Sequence, residues 1–378
     1  MDFTWSEDDA AFRSELRTFV EDELPQRWLE LIPGEEPASD FILDFCRKLG
    51  QKGWLTPHWP QQYGGTDGSG WQFIILGEEL WSAGEPRGSQ YMNVNWIGPA
   101  IINAGTAEQR DYHLRRISAG DVFWCQGFSE AGAGTDLANM ATTAVRDGDD
   151  YVINGEKLWT SYAGEADFCF LLARTDPQST GNKGISVFLV PTDTPGFTIE
   201  PIPSVLDIHE FNRLTFTNVR VPASVRLGPE NDGWRVVREA LSHERIGGPR
   251  YARAAQVTQR LREVGRERGW LDRDGIKTRL AQAEASCEAA RLLVYQAIHA
   301  RSQGRSEDRE VSLARVAIVR CERLVAELAL EMFEDEGLEL GSMGNSQLKT
   351  SMIAGLGGGS VEVQLNMVAR SLLGSTER

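Results

Sequence analysis

Apolar residues recur at a helical spacing through the first third of the chain. Phe12, Leu16, Phe19 and Val20 fall on one face at intervals near 3.6 residues, the mark of a helix that buries a single stripe. Thr4-Trp5-Ser6-Glu7, just ahead of them, predicts a capping box at the helix start. The pattern is interrupted at His58-Trp59-Pro60-Gln61-Gln62-Tyr63-Gly64-Gly65, where proline and paired glycines forbid a continuing helix, and then resumes to about Gly120. From about Val122 to Leu227 the period falls to two. Tyr151-Val152-Ile153, Phe168 to Leu172, Ile185 to Val190, Phe197 to Ile199 and Leu214 to Val221 read as strands, with turns predicted at Asp147-Gly148-Asp149 and at Asn154-Gly155. After Gly233 the helical spacing returns to the end of the chain, with breaks at Gly265 to Gly275, Gln303 to Glu307 and Gly355 to Gly359. This order predicts an α+β chain of three domains: an N-terminal helical domain over residues 1–121, a middle antiparallel β domain over 122–230, built as a small barrel or sandwich, and a C-terminal helical domain over 231–378.

Length and charge narrow the possible ligands. A chain of 378 residues exceeds one compact core and can enclose a cofactor. Its formal charge of −16 repels phosphate on average, so neither nucleic acid nor an anionic membrane is expected as a partner. A polyanionic ligand must then be held by local groups. The five cysteines, Cys46, Cys125, Cys169, Cys287 and Cys321, lie far apart without a CxxC spacing, so reduced buried thiols are expected and no metal site. The first residues are acidic where a signal peptide is basic, and no apolar run approaches the ~18 residues of a membrane span. A cytoplasmic location is the expectation.

Two short segments carry candidate chemistry. Ser129 to Asp136, Ser-Glu-Ala-Gly-Ala-Gly-Thr-Asp, offers small residues with free backbone donors, which a planar polar ring and a phosphate-bearing chain can approach closely. An ordinary glycine-rich turn produces a similar string. Trp159, following Asn154-Gly155, by itself reads as a core residue more readily than as a cofactor wall. In combination, however, Gly53-Trp54-Leu55, Trp59 to Gly65, Gly105-Thr106-Ala107-Glu108-Gln109, Phe128 to Asp136 and Asn154-Gly155-Glu156-Lys157-Leu158-Trp159-Thr160-Ser161 resemble, in order and spacing, the acyl-CoA dehydrogenase family. The likeness covers essentially the whole chain. It implies a four-helix bundle for the C-terminal domain and FAD as cofactor. Gln126, Phe128, Ser129, Trp159, Thr160 and Ser161 would lie against the flavin, and Thr135 would meet the coenzyme A part of an acyl-CoA substrate. An electron-transfer flavoprotein or similar acceptor is the implied redox partner.

The reaction of that family removes hydrogens from the α and β carbons of an acyl thioester. A carboxylate takes the α proton in a water-poor pocket, and the flavin carries the redox step. In many members the base is a glutamate just before a Gly-Thr or Gly-Ser pair near the C-terminus. Here that stretch reads Leu356-Gly357-Gly358-Gly359-Ser360-Val361-Glu362-Val363, and Gly358 stands at the matching position, as a substrate-side residue without a carboxylate. Glu362 lies too far along and is expected at the surface near a helix start. A minority of members carry the base on the first long helix of the last domain, immediately before an arginine. Leu241-Ser242-His243-Glu244-Arg245 matches, so the resemblance implies Glu244 as base and Arg245 as a contact to coenzyme A. An exposed helix acid beside basic neighbours would look alike.

Homo-oligomeric members complete FAD binding with an Arg-x-x-Phe-Gly and a Gln-x-x-Gly-Gly-x-Gly stretch from a neighbouring chain. Here the matching regions read Arg266-Glu267-Arg268-Gly269-Trp270-Leu271-Asp272 and Glu331-Met332-Phe333-Glu334-Asp335-Glu336-Gly337, so acids replace glycines that would approach a pyrophosphate. Like charges at contact cost several kcal/mol in a partly buried site. Either the acids point to solvent and FAD is held otherwise, or a different, related chain supplies the dinucleotide-binding half. The second case is similar to actinobacterial-type members that form hetero-oligomers and act on steroid side-chain acyl-CoA thioesters; a homo-oligomer is the alternative. An oxygen-using flavoenzyme on the same fold and a non-catalytic partner subunit remain rival readings, and the acyl group stays open.

Overall fold

The computed structural model describes residues 5–25, 39–205, 211–305 and 308–373. Helices α1 (Glu7–Glu23), α2 (Ser39–Gln51), α3 (Gly70–Ser82), α4 (Gln90–Met92), α5 (Gly98–Ala104) and α6 (Ala107–Ala119) precede strands β1 (Trp124–Gly127), β2 (Thr143–Asp147), β3 (Asp150–Ser161), β4 (Phe168–Arg174), β5 (Ile185–Pro191), β6 (Phe197–Pro201), β7 (Phe211–Pro222) and β8 (Arg226–Leu227). Helices α7 (Gly233–Gly247), α8 (Arg250–Glu267), α9 (Ile276–Ser302), α10 (Asp308–Phe333), α11 (Met343–Ile353) and α12 (Val361–Leu373) follow. The α, β, α order expected from periodicity is thus observed. The chain forms two compact units, each gathered from distant stretches. One contains α1, α3, the end of α7 from Arg245, and α8–α12; the other contains α2, α4–α6, all the strands, and α7 up to Glu244.

In the first unit, Tyr251, Val257, Leu261, Leu280, Ala290, Val294, Ile318, Val325 and Leu328 build one apolar core with Phe73 and Ile74 of α3. A buried ionic network secures α1 to it. Glu78 accepts hydrogen bonds from Arg13 at 2.6 Å, Tyr251 at 2.7 Å and Tyr295 at 2.9 Å, while Glu79 accepts from both Arg13 and Arg17. Each buried oxygen therefore has donors, the condition under which a carboxylate tolerates burial. The cap of α1 differs from expectation. Thr4 lies outside the described residues, and Ser6 is the N-cap, its hydroxyl accepting from the Asp9 amide at 3.1 Å. Helix α8 also runs past Gly265 to Glu267, so the break there is narrower than the glycine spacing suggests.

In the second unit the sheet order is β6-β7-β3-β2-β4-β5-β8, with β1 paired to β4. Most pairings are antiparallel, but β1 runs parallel to β4 and a single β2–β4 pair is also parallel, so the sheet is mixed. Strands β4 and β5 are buried nearly throughout, which is why they read as continuous apolar runs rather than alternations. The Asp147-Gly148-Asp149 turn joins β2 to β3 as expected. Asn154-Gly155, by contrast, is no turn. It lies inside β3, where the register slips between Ile153 and Gly155 and again between Lys157 and Thr160. Gly155 takes φ +147°, and a Cβ there would stand 2.7 Å from the Thr142 Cα; the residue that permits a tight turn here permits a bulge.

Candidate active site

The two slips in β3 decide which side chains the strand presents. In a regular strand Lys157 and Trp159, two residues apart, would face the same side. Lys157 is instead fully buried, while Trp159 is 58% exposed with φ +62°. Positive φ in a bulky residue is a strained state that surrounding structure must impose. Tyr162, three residues on, has φ +57°. A large indole held outward at a strained position is poorly explained by packing and well explained by a planar partner.

Lys157 binds this strand to the glycine-rich segment after β1. Its Nζ donates to the Phe128 carbonyl at 2.9 Å and to Glu130 Oε1 at 2.8 Å. Glu130 also accepts from the Ala141 and Thr142 amides at 2.6 and 3.0 Å, and the Leu158 amide donates to the Ser129 carbonyl at 2.8 Å. Burial works to raise the Glu130 carboxyl, but the Lys157 charge and these hydrogen bonds prevail and hold it below the usual range. Burial pushes the Lys157 ammonium down, with Glu130 opposing. Nothing in the polar run Asn154-Gly155-Glu156-Lys157 marks this lysine as buried; only the pairing of the strand does.

These contacts of Phe128 and Ser129 with Lys157 and Leu158 hold the segment that carries Gln126, Phe128 and Ser129 against β3, which carries Trp159, Thr160 and Ser161. Phe128 is buried against Phe170, ring centroids 5.9 Å apart, so what it can offer a ligand is backbone. Gln126 Oε1 accepts from the Trp96 indole at 2.8 Å, which ties this edge to the five-residue π turn Asn93–Ile97 between α4 and α5. Pro99, lacking an amide proton, cannot donate to Asn95, and wide turns of this kind often mark functional sites. The Thr160 hydroxyl is buried without a hydrogen-bond partner among the described residues, while its carbonyl accepts from Asn212 at 3.2 Å. Thr135 lies exposed on the glycine-rich loop. Gly132 and Gly134 there are also exposed; neither has positive φ, and a Cβ on either would meet nothing within 4 Å. Neither packing nor backbone strain inside the chain requires them to be glycine, and both leave the backbone open to close approach from outside. These observations fit a flat, polar, phosphate-bearing cofactor on the face made by residues 126–136 and 159–161.

Glu244 and Arg245 are neighbours near the end of α7, both half-buried, and the Glu244 Oε2 atom is shielded from solvent. Arg245 and Gly358 belong to the first unit and Glu244 to the second. Glu362 is exposed in the first turn of α12, where the Val363 amide donates to Ser360 Oγ at 3.4 Å, as expected of a cap-proximal acid. The acids at the glycine positions, Glu334 and Asp335, are both exposed. Glu334 pairs with Arg273 at 2.9 Å, and the neighbouring acids Glu336 and Glu331 pair with Arg268 and Arg279, the Glu334 and Glu336 side chains being more than half exposed.

A bulged strand and a glycine-rich loop on a mixed sheet, between two helical stretches of chain, fit a cofactor-dependent enzyme of the α, β, α type. The comparisons with known proteins carry this further. Profiles described as acyl-CoA dehydrogenase N-terminal, middle and C-terminal domain match residues 6–121, 125–219 and 231–373. The acyl-CoA dehydrogenase FadE26 of Mycobacterium tuberculosis is 33% identical, covering 99% of this chain and 98% of the relative. Among solved structures, the Tcur3481-Tcur3483 steroid ACAD superposes with a TM-score of 0.89 at 32% identity, covering 100% of both chains. The ChsE4-ChsE5 complex from Mycobacterium tuberculosis does so with a TM-score of 0.87 at 32% identity, also over 100% of both. The chain belongs to the acyl-CoA dehydrogenase family.

Proposed function

We propose that this chain oxidises an acyl-CoA thioester to the α,β-enoyl-CoA, with Glu244 as the base that takes the α proton. One observation carries the assignment: Glu244 holds a carboxylate oxygen shielded from water, while position 358, where many relatives have the base, is glycine. A carboxylate withdrawn from water is a stronger base toward a weak carbon acid than an exposed one. Glu362, the other acid nearby in sequence, is exposed.

FAD fits the face described above. Gln126, the Phe128 backbone, Ser129, Trp159, Thr160 and Ser161 would hold it, and its bound flavin supplies the two-electron acceptor for the hydride leaving the β carbon. Trp159 would offer its indole as a planar wall, and the Thr160 hydroxyl and the loop amides would offer polar contacts. Thr135 and Arg245 would serve the coenzyme A moiety, the Arg245 guanidinium locally offsetting the chain's overall negative charge. An electron-transfer flavoprotein or similar acceptor reoxidises the cofactor.

The substrate reading is a steroid side-chain thioester, and the assembly reading is a hetero-oligomer with a related chain. Both are supported by likeness to the Tcur3481-Tcur3483 steroid ACAD and to the ChsE4-ChsE5 complex. The hetero-oligomer reading rests on that likeness; the ion pairs of Glu331, Glu334 and Glu336 with local arginines match the other reading, in which the acids turn to solvent and FAD is held otherwise.

Glu244→Gln tests the base. The variant keeps its flavin content and loses dehydrogenation by about 100-fold or more; wild-type turnover removes Glu244 from the mechanism. Expression alone and with the related chain tests the assembly: full flavin loading and activity of the lone chain would refute it.

A further inference from the structure

The loop that replaces the usual base is held from within its own unit. Arg315 on α10 donates through Nη2 to the Gly357 carbonyl at 2.8 Å, and Gln364 on α12 donates through Nε2 to the Gly358 carbonyl at 3.4 Å. Both side chains are buried, Arg315 at 8% exposure and Gln364 at 0%. Gly358 and Gly359 take φ +68° and +90°, a conformation glycine adopts without penalty. A Cβ built on Gly358 would meet Arg315 Nη2 at 3.6 Å and its Cζ and Nε at 3.7 Å, an ordinary contact distance. A side chain at this position therefore starts against a guanidinium.

We infer that Arg315 is a positioning residue for the Gly357–Gly359 loop and that it would capture a carboxylate placed at position 358 as an ion pair, leaving no free base there. The geometry permits a short charge-assisted contact, since a glutamate carboxylate two bonds beyond such a Cβ can reach a neighbouring guanidinium. An arginine at that range favours the ionised carboxylate and so weakens it as a base. The part concerning catalysis rests on the proposed function; the part concerning pairing does not.

The test compares G358E with G358Q, which share the same backbone strain, with Arg315 intact and in R315M. With Arg315 intact, G358E should melt about 2 °C or more above G358Q at pH 7. The advantage should begin to fall below about pH 4.3 and vanish once the pH is below the folded pKa, because a carboxylate with a depressed folded pKa contributes stability above its unfolded pKa and loses it as pH falls through the folded value. It should also vanish in R315M; if R315M does not fold, the comparison with Arg315 intact and its pH dependence decide. Equal melting of G358E and G358Q at pH 7 overturns the inference. A second readout uses activity. E244Q/G358E should stay as inactive as E244Q, while E244Q/G358E/R315M should gain at least about tenfold, the effect of relieving about 1.4 kcal/mol. Equal rates in those two variants overturn the control assigned to Arg315, whereas the role of Glu244 is judged by E244Q alone.

Discussion

Lys157 Nζ lies 2.8 Å from Glu130 Oε1, with Lys157 wholly out of solvent. The contact joins the two sequence segments that carry the candidate flavin surface. Removing one partner of such a pair leaves the other charge uncompensated, so Lys157→Met should cost about 3–5 kcal/mol in urea unfolding and release bound flavin. The Glu130 carboxyl is held below its ordinary value. Its contribution is therefore present above the unfolded glutamate pKa of about 4.3 and lost as pH falls through the lower folded value. Unchanged stability in Lys157→Met would show that the contact is incidental.

Gly132→Ala and Gly134→Ala should separate folding from binding. With ordinary φ and open space at both sites, unfolding should shift by less than about 0.5 kcal/mol. Titration with FAD or an acyl-CoA should show weaker binding, since a methyl group blocks the approach. Wild-type affinity in both variants would count against a ligand at this loop.

Gly98 predicts the opposite outcome. A Cβ there would lie 2.1 Å from the Trp59 ring, so Gly98→Ala should destabilise by at least about 1–3 kcal/mol through overpacking. Adding Trp59→Leu should recover part of that loss in thermal melts; strictly additive effects would refute the clash.

His113 sits among Tyr112, Trp124 and Phe168, with ring centroids 4.8–5.1 Å away. Burial, aided by Arg116, pushes its pKa down to about 4. The unfolded chain then binds the extra proton first, so stability is complete above about pH 6.5 and declines toward pH 4, by an amount on the order of 3 kcal/mol. His113→Phe should flatten that part of the stability profile. An unaltered profile would place the titration elsewhere.

The architecture was legible because periodicity and burial have the same cause. Phe168 to Leu172 and Ile185 to Val190 form β4 and β5, and Leu16, Phe19 and Val20 are the buried stripe of α1. The cap was misplaced because Thr4 and Ser6 are both capable caps, and spacing alone does not choose between them. Asn154-Gly155 predicts a turn and forms a bulge because both need the same conformational freedom at glycine. Only pairing to β7 shows that the strand continues.

Glu244 beside Arg245, Gly358 in place of a base, and the acids at 334–336 were fixed by the sequence itself, since each is a matter of which residue stands where. Tertiary structure decided which of these groups are shielded and which are neutralised. Burial of Glu244 Oε2, the outward Trp159, the inward Lys157 and the arginines paired with Glu331, Glu334 and Glu336 depend on strand register and on helices distant in sequence. The reason is physical: charge and chemical type belong to a residue, whereas solvation and partner belong to the place the fold gives it.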